Sequence, residues 1–290
     1  MGGWVLGVIG GSGLYEIEGL ENRRWVKAES PWGEPSDALL MGEIGQLRLV
    51  FLPRHGRGHR ISPTEVDARA NIDVLKRAGC TDILSVSAVG SLREDLAPGH
   101  FALVDQYIDR TFARPKSFFG AGLVAHVSMA DPTCPRLSAM AAQAARAAGQ
   151  TVAEHKTLVV MEGPQFSTRA ESELYRSWGA DLIGMTAMPE AKLAREAELP
   201  YATLAMVTDY DCWREETEAV EVDAVMQVMA ANAEAARATI RKLAEALQGE
   251  RPASPIDTAL DHAIVTAPSA WDPARLAKLD AVGARRFAAR

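Results

Sequence analysis

Five short apolar runs recur along this 290-residue chain, and each breaks off into glycine, hydroxyl or charged residues. Trp4–Ile9 stops at Gly10-Gly11-Ser12-Gly13, Leu47–Leu52 at Pro53-Arg54-His55-Gly56, and Asp82–Ala88 shortly before Gly90-Ser91. Lys156–Met161 leads into EGPQFSTRAES, and Tyr201–Val207 into Thr208-Asp209-Tyr210-Asp211. Runs without polar alternation are buried on both faces, as strands of a parallel sheet are. Helical spacing occurs over Ala68–Ala78, Leu137–Ala148, Ser172–Trp178, from near Pro189, and from Val220 to Leu247. Shorter strands are predicted at Phe101–Val104 and Leu182–Met185. This alternation predicts a single α/β domain with a mixed but mostly parallel central sheet flanked by helices. The domain is expected over residues 1–250, up to a proline-containing break at Arg251–Pro255. Residues 251–290 read as an extension that packs on that domain or on a neighbouring subunit.

Composition narrows the function classes. A chain that is 48% hydrophobic can bury a large core, and a net charge of −7 argues against a nucleic-acid surface. Cys80, Cys134 and Cys212 are widely spaced, odd in number and form no CxxC, which suits a reducing compartment and gives neither a disulfide framework nor a metal site. No apolar run reaches the length of a membrane span, and MGGWVLGVIGG lacks the basic start of a signal peptide. The expectation is a cytoplasmic protein without a membrane or nucleic-acid partner.

In open α/β sheets, ligands bind outside the carboxyl ends of the strands, so the run-end clusters are the candidate chemistry. The first, GGSG, does not fit the dinucleotide fingerprint, the triphosphatase loop or the esterase elbow. What remains is general: freed backbone N–H groups and the Ser12 hydroxyl form an anion-binding concavity. In PRHGRGHR, Arg54 offers a planar fork of donors suited to phosphate, and His55 beside it can donate or accept. His55 and His59 are four apart, but Gly56 and Gly58 oppose a helix and a third ligand is lacking, so no metal is expected. Ser87 can add a hydrogen bond to the same anion. Phe166 is a plate on which a planar base can stack, and Met185 a soft contact for an apolar ligand face. Asp209 and Asp211, two apart, share one side of the chain if the backbone there is extended, and can grip one flat molecule at two points. The plainer alternative for this pair is a loop acid and a helix N-cap.

In order, GVIGGSGL, PRHGRGH, SAVGSLRE, DQYIDRT, EGPQFSTRAES, WGADLIGMT and MVTDYDCW resemble one family, the trimeric purine nucleoside phosphorylases, and within it the 5′-methylthioadenosine phosphorylases. The likeness runs from residue 7 to about residue 225. It implies that inorganic phosphate, as co-substrate and without a cofactor or metal, attacks C1′ of a nucleoside and releases the purine. It further implies that Ser12, Arg54, His55, Ser87, Ala88 and Thr186 hold the phosphate. Phe166, Met185, Asp209, Tyr210 and Asp211 would contact the nucleoside, with His55, Asp209 and Asp211 closest to the chemistry. Ser167, Val222 and His126 would set specificity near the 5′ end, His126 reaching in from an adjacent subunit of a homotrimer. Serine at 12 and 87 departs from the commoner threonine but keeps the hydroxyl. The C-terminal segment 256–290 matches less well.

The chemistry agrees with the residues. The glycosidic bond breaks through a cation-like sugar, and the departing base needs a proton, which an acid with a raised pKa can donate near N7. A second carboxylate can accept from an exocyclic amine at position 6, which favours adenine over 6-oxopurines. Family members specialised for inosine and guanosine carry Asn at the first acid, so a broader or 6-oxopurine phosphorylase is the alternative reading. A more distant one is a histidine phosphatase using His55, although in that family the Arg-His-Gly triplet follows the first strand. A third is a non-catalytic nucleoside- or phosphate-binding protein.

Overall fold

The computed structural model describes residues 3–11, 13–214 and 222–287, with side chains throughout except at 222–226. The strands are β1 Val5–Gly10, β2 Glu21–Val26, β3 Leu39–Ile44, β4 Leu47–Pro53, β5 Asp82–Ser91, β6 Phe101–Asp109, β7 Val152–Val160, β8 Leu182–Gly184 and β9 Tyr201–Tyr210. The helices are α1 Ala68–Arg77, α2 Pro135–Ala147, α3 Arg169–Ser177, α4 Ala187–Glu196, α5 Val222–Ala246, α6 Pro273–Lys278 and α7 Ala284–Phe287. Two 3₁₀ turns lie at Pro255–Thr258 and Pro268–Ala270. No helix among the described residues is long and apolar enough to cross a membrane.

The strands form one mixed sheet in the order β2-β3-β4-β1-β5-β8-β7-β6-β9, and β9 also pairs with β5. The last five strands therefore close into a ring, from which β1, β4, β3 and β2 extend as an open arm. Pairing is parallel for β1–β4, β1–β5, β5–β9, β6–β7 and β7–β8. It is antiparallel for β2–β3, β3–β4, β5–β8 and β6–β9.

Alternation along each strand divides the core into two layers. On β9, Ala202, Leu204 and Met206 join Leu137 and Ala141 of α2 and Ala236, Ile240 and Leu243 of α5. Tyr201, Ala205 and Val207 instead face Ile72 and Leu75 of α1 and Ala191 and Leu193 of α4. Because helices cover both faces, these strands read as unbroken apolar runs. Burying a single leucine in either layer stabilises the fold by roughly 1.5–3 kcal/mol.

The expected elements are present; β5, β6, β7 and β9 are longer than the apolar runs marked, and β8 is one residue shorter. The β2–β3 pair had no counterpart in the sequence reading. Edge strand β2, ENRRWV, is exposed along nearly its whole length, so no apolar run marks it. Leu260, Ala263, Leu279 and Val282 of the C-terminal segment are buried in the same layer as α1 and α4. Ion pairs fix that segment: Arg251 to Asp82 and Asp257, Arg285 to Glu198 and Asp261, and Arg77 to Asp280.

Candidate active site

The carboxyl ends of β4, β5, β7, β8 and β9 converge on one cavity of about 430 Å³, closed on one side by Met229, Asn232 and Ala233 of α5. Arg54, His55, Ser87, Ala88, Phe166, Met185, Thr186, Asp209 and Asp211 all line it. Residues up to 157 positions apart in sequence thus meet as the run-end clusters predict.

One corner gathers Arg54, His55, Ser87 and Thr186. Arg54 is buried and much of its fork is committed to protein. Its Nε and Nη2 donate to the Glu190 carboxylate at 2.6 and 3.1 Å, Nη1 to the Val86 carbonyl at 3.0 Å, and Nη2 also to Ser85 Oγ at 2.7 Å. Tyr201 Oη donates to the same carboxylate at 3.0 Å. Arg54 therefore supplies a fixed, partly neutralised charge rather than a free bidentate fork. Beside it the Ser87 and Thr186 hydroxyls lie 3.2 Å apart.

A second buried pair holds the Met185–Thr186 wall. Arg114 Nη1 donates to the Met185 and Met188 carbonyls at 2.5 and 2.8 Å, and Nε to Glu162 Oε1 at 2.9 Å. Burial opposes ionisation of Glu162, but the N–H groups of Phe112 and Ala113, with Thr64 and Arg114, hold its pKa down to about 2. Non-helical dihedrals at Met188 (φ −114°, ψ 131°) delay the regular turns of α4 until near Pro189, where the sequence placed the helix start.

The acid pair occupies another part of the cavity. Met206 lines the cavity, so strict alternation would bring Thr208 and Tyr210 there and turn both acids away. The register against β5 shifts between Val89↔Val207 and Gly90↔Asp209, which inserts Thr208 as a bulge. Beyond it, Asp209 and Asp211 line the cavity and Tyr210 does not. Gly90 makes room for them: a Cβ there would sit 3.2 Å from Asp209 Oδ1 and 3.5 Å from Asp211 Cβ. Burial raises the Asp209 pKa; the Thr208 hydroxyl, donating at 2.6 Å, lowers it, and the Asp211 charge raises it again. Asp211 is 8% exposed, and its Oδ2 is buried without a hydrogen-bond partner among the described residues. An unsatisfied buried acceptor on a cavity wall calls for a donor from a ligand.

Phe166 stands at the mouth, 85% exposed. The following Thr168 and Glu171 are spent on a capping box that starts α3, so those motif residues serve structure. Tyr210 points away from the cavity: its Oη donates to the Glu94 carbonyl at 3.2 Å and its ring meets Trp213 edge-on. Ser167 is also off the cavity wall, its hydroxyl donating to Met161 Sδ at 3.3 Å. His126 lies in a separate cleft with Lys116, Ser117 and Glu196. Ser12 and the side chain of Val222 fall outside the described residues.

Several lining residues escaped the sequence reading. His59, weighed only as a metal ligand, stacks on His55 with ring centroids 4.3 Å apart. Met229 and Ala233 stood on the apolar face of α5, and adding Asn232 at i+3 would have marked a wall. Glu190, which does not line the cavity but anchors Arg54, carried no local signal, because that partner is 136 residues away.

Residues 5–245 match the family model of the phosphorylase superfamily. The chain belongs to the phosphorylase superfamily. The S-methyl-5′-thioadenosine phosphorylase of Cereibacter sphaeroides is 60% identical over 97% of this chain and 98% of its own length. That of Bradyrhizobium diazoefficiens is 56% identical, with 97% of each chain covered. Among solved structures, a methylthioadenosine phosphorylase from an Antarctic soil metagenomic library superposes with a TM-score of 0.93 at 48% identity, covering 97% of this chain and 99% of that one. A variant of the adenosine/methylthioadenosine phosphorylase from Schistosoma mansoni, in complex with methylthioadenosine, gives a TM-score of 0.77 at 38% identity over 86% and 93% of the two chains. This superfamily chain has its conspicuous cavity at the strand ends, where the sequence motifs converge.

Proposed function

We propose that this chain is a phosphorylase that cleaves 5′-methylthioadenosine with inorganic phosphate into adenine and 5-methylthioribose 1-phosphate. The observation that carries this reading is the unpartnered Asp211 Oδ2 beside Asp209, in the same cavity as Arg54, His55, Ser87 and Thr186. A 6-aminopurine supplies the donor that Asp211 lacks, whereas a 6-oxopurine presents another acceptor. The names of the relatives above support the same substrate.

The sequence of events follows from charge. Phosphate, held by Ser12, Arg54, His55, Ser87, the Ala88 backbone and Thr186, approaches C1′ from the face opposite the base. The C1′–N9 bond breaks, leaving positive charge on the sugar that the nearby dianion stabilises electrostatically. The electron pair of that bond goes to the purine, which leaves as N7 takes the proton of Asp209. An oxygen of phosphate closes the new bond to C1′. Asp209 suits the donor role because burial and the Asp211 charge favour its protonated form. Phe166 and Met185 flank the base. Fixing both reactants in this geometry replaces a bimolecular encounter.

The active form in this reading is a cytoplasmic homotrimer in which His126 completes the 5′ end of a neighbour's site, with Ser167 and Val222 nearby. Tyr210 takes part through its backbone position between the two acids. The histidine phosphatase alternative loses its support: the chain is a phosphorylase-superfamily member and His55 follows β4, not the first strand. Incubation with 5′-methylthioadenosine should release adenine only when phosphate is present. Release without phosphate would indicate a hydrolase, and none at all a binding protein.

A further inference from the structure

His55 enters the cavity with one ring nitrogen already engaged. Its Nδ1 lies 2.8 Å from the Ile61 carbonyl oxygen, which can only accept, so Nδ1 carries the hydrogen. The neutral ring then offers a bare lone pair at Nε2, which has no partner among the described residues. Burial is the largest influence against a second proton and the Arg54 charge follows; the Ile61 carbonyl and Glu190 pull the other way, His59 adds a smaller push down, and the His55 pKa falls to about 4. The backbone fixes this arrangement, since Ile61 N–H donates back to the His55 carbonyl at 3.1 Å. The corner assigned to phosphate therefore sets one atom that can only accept, His55 Nε2, beside groups that can donate: Arg54 and the Ser87 and Thr186 hydroxyls, which can also accept.

We propose that His55 Nε2 accepts a hydrogen bond from the protonated oxygen of the attacking anion, so that the corner selects tetrahedral oxyanions retaining an O–H, phosphate and arsenate, over sulfate. This rests on the reading of the cavity as a phosphorolysis site. Both the monoanion and the dianion of phosphate keep a P–OH. Sulfate has the same shape and, at neutral pH, no hydrogen, so it sets lone pair against lone pair. A buried acceptor left facing an acceptor costs enough to weaken binding by on the order of 10- to 100-fold. His59 serves as a positioning residue, since its stacked ring holds the orientation of His55.

Calorimetric titration of the whole protein with inorganic phosphate, arsenate and sulfate tests this directly. Arsenate should bind within about tenfold of phosphate, and sulfate weaker by about 30-fold or more. In His55→Gln the terminal amide can turn its N–H toward the anion, so the phosphate-to-sulfate ratio should collapse to within about threefold. Sulfate binding as tightly as phosphate to the unaltered protein would overturn the proposal, as would an unchanged ratio in folded His55→Gln. If that variant does not fold, the three anions on the unaltered protein still decide. Adenine release with phosphate, measured separately, shows whether a failure belongs to this proposal or to the phosphorolysis reading.

Discussion

Replacing Asp209 by Asn changes one atom and reverses one hydrogen-bond direction. The amide fits the same space, and its Oδ1 can still accept from Thr208 Oγ1, now 2.6 Å from the carboxylate. One contribution to adenine release disappears: the proton for N7 is lost, and general-acid transfer contributes about 10²–10⁴-fold. Asp209→Asn should therefore lower kcat/KM for 5′-methylthioadenosine by about 10³-fold. The new N–H can donate to a 6-oxo group, so kcat/KM for 5′-methylthioinosine should rise. The pH profile adds a second readout. The raised pKa of Asp209 keeps the donor protonated at low pH, and activity falls as pH rises through that folded-state value. The variant should lack this alkaline limb. Initial rates on both nucleosides across pH give the answer. Equal or better methylthioadenosine turnover by Asp209→Asn would refute the assignment of Asp209.

Three further outcomes follow from neighbouring residues. Gly90→Ala places a Cβ 3.0 Å from Ile183 Cγ2 and 3.2 Å from Asp209 Oδ1, so it should raise KM for the nucleoside about tenfold, with a smaller change in melting temperature. Glu162→Ala strips the buried Arg114 of its carboxylate and should cost about 3–5 kcal/mol in denaturant unfolding, with Glu162→Gln losing less. Burial raises the Glu196 pKa to about 7 from 4.5, so its contribution to stability is intact below pH 4.5 and fades as pH climbs through 7. The loss is on the order of 3 kcal/mol, and Glu196→Gln should flatten the pH dependence of unfolding over that window.

What was legible in the sequence divides along physical lines. Strands β1, β4, β5 and β9 announce themselves because helices bury both faces and leave no polar alternation. The β3–β4 hairpin carried a turn signal, Gly45-Gln46 with Gly45 at φ 59°, but its partner β2 is wetted at the sheet edge. Strands β5, β6 and β9 outrun their apolar stretches because their polar far ends still pair within the closed ring, Ser91 with Leu182 and Tyr210, and Asp109 with Val160.

The site was legible as residue types at strand ends, and less so as geometry. The i, i+2 spacing of Asp209 and Asp211 put both acids on one side of the chain, where both line the cavity, but only the Thr208 bulge turns them toward it, and nothing in TDYD betrays it. Tyr210 followed the opposite face for the same reason. Arg54 read as a free phosphate fork because Glu190, its distant counter-ion, had no sequence link to it. Ring stacking of His55 on His59 likewise depends on the path of the loop between them, which the sequence marks only through its glycines.

The claim that the oxyanion corner and the acid pair serve a single nucleoside is tested most directly by a crystal structure with phosphate and a non-cleavable methylthioadenosine analogue. The purine edge should lie within hydrogen-bond reach of Asp209 and Asp211, and phosphate between His55, Ser87 and Thr186 with an oxygen aimed at C1′. A base bound away from the two acids, or a phosphate on the far side of the sugar from His55, would contradict it.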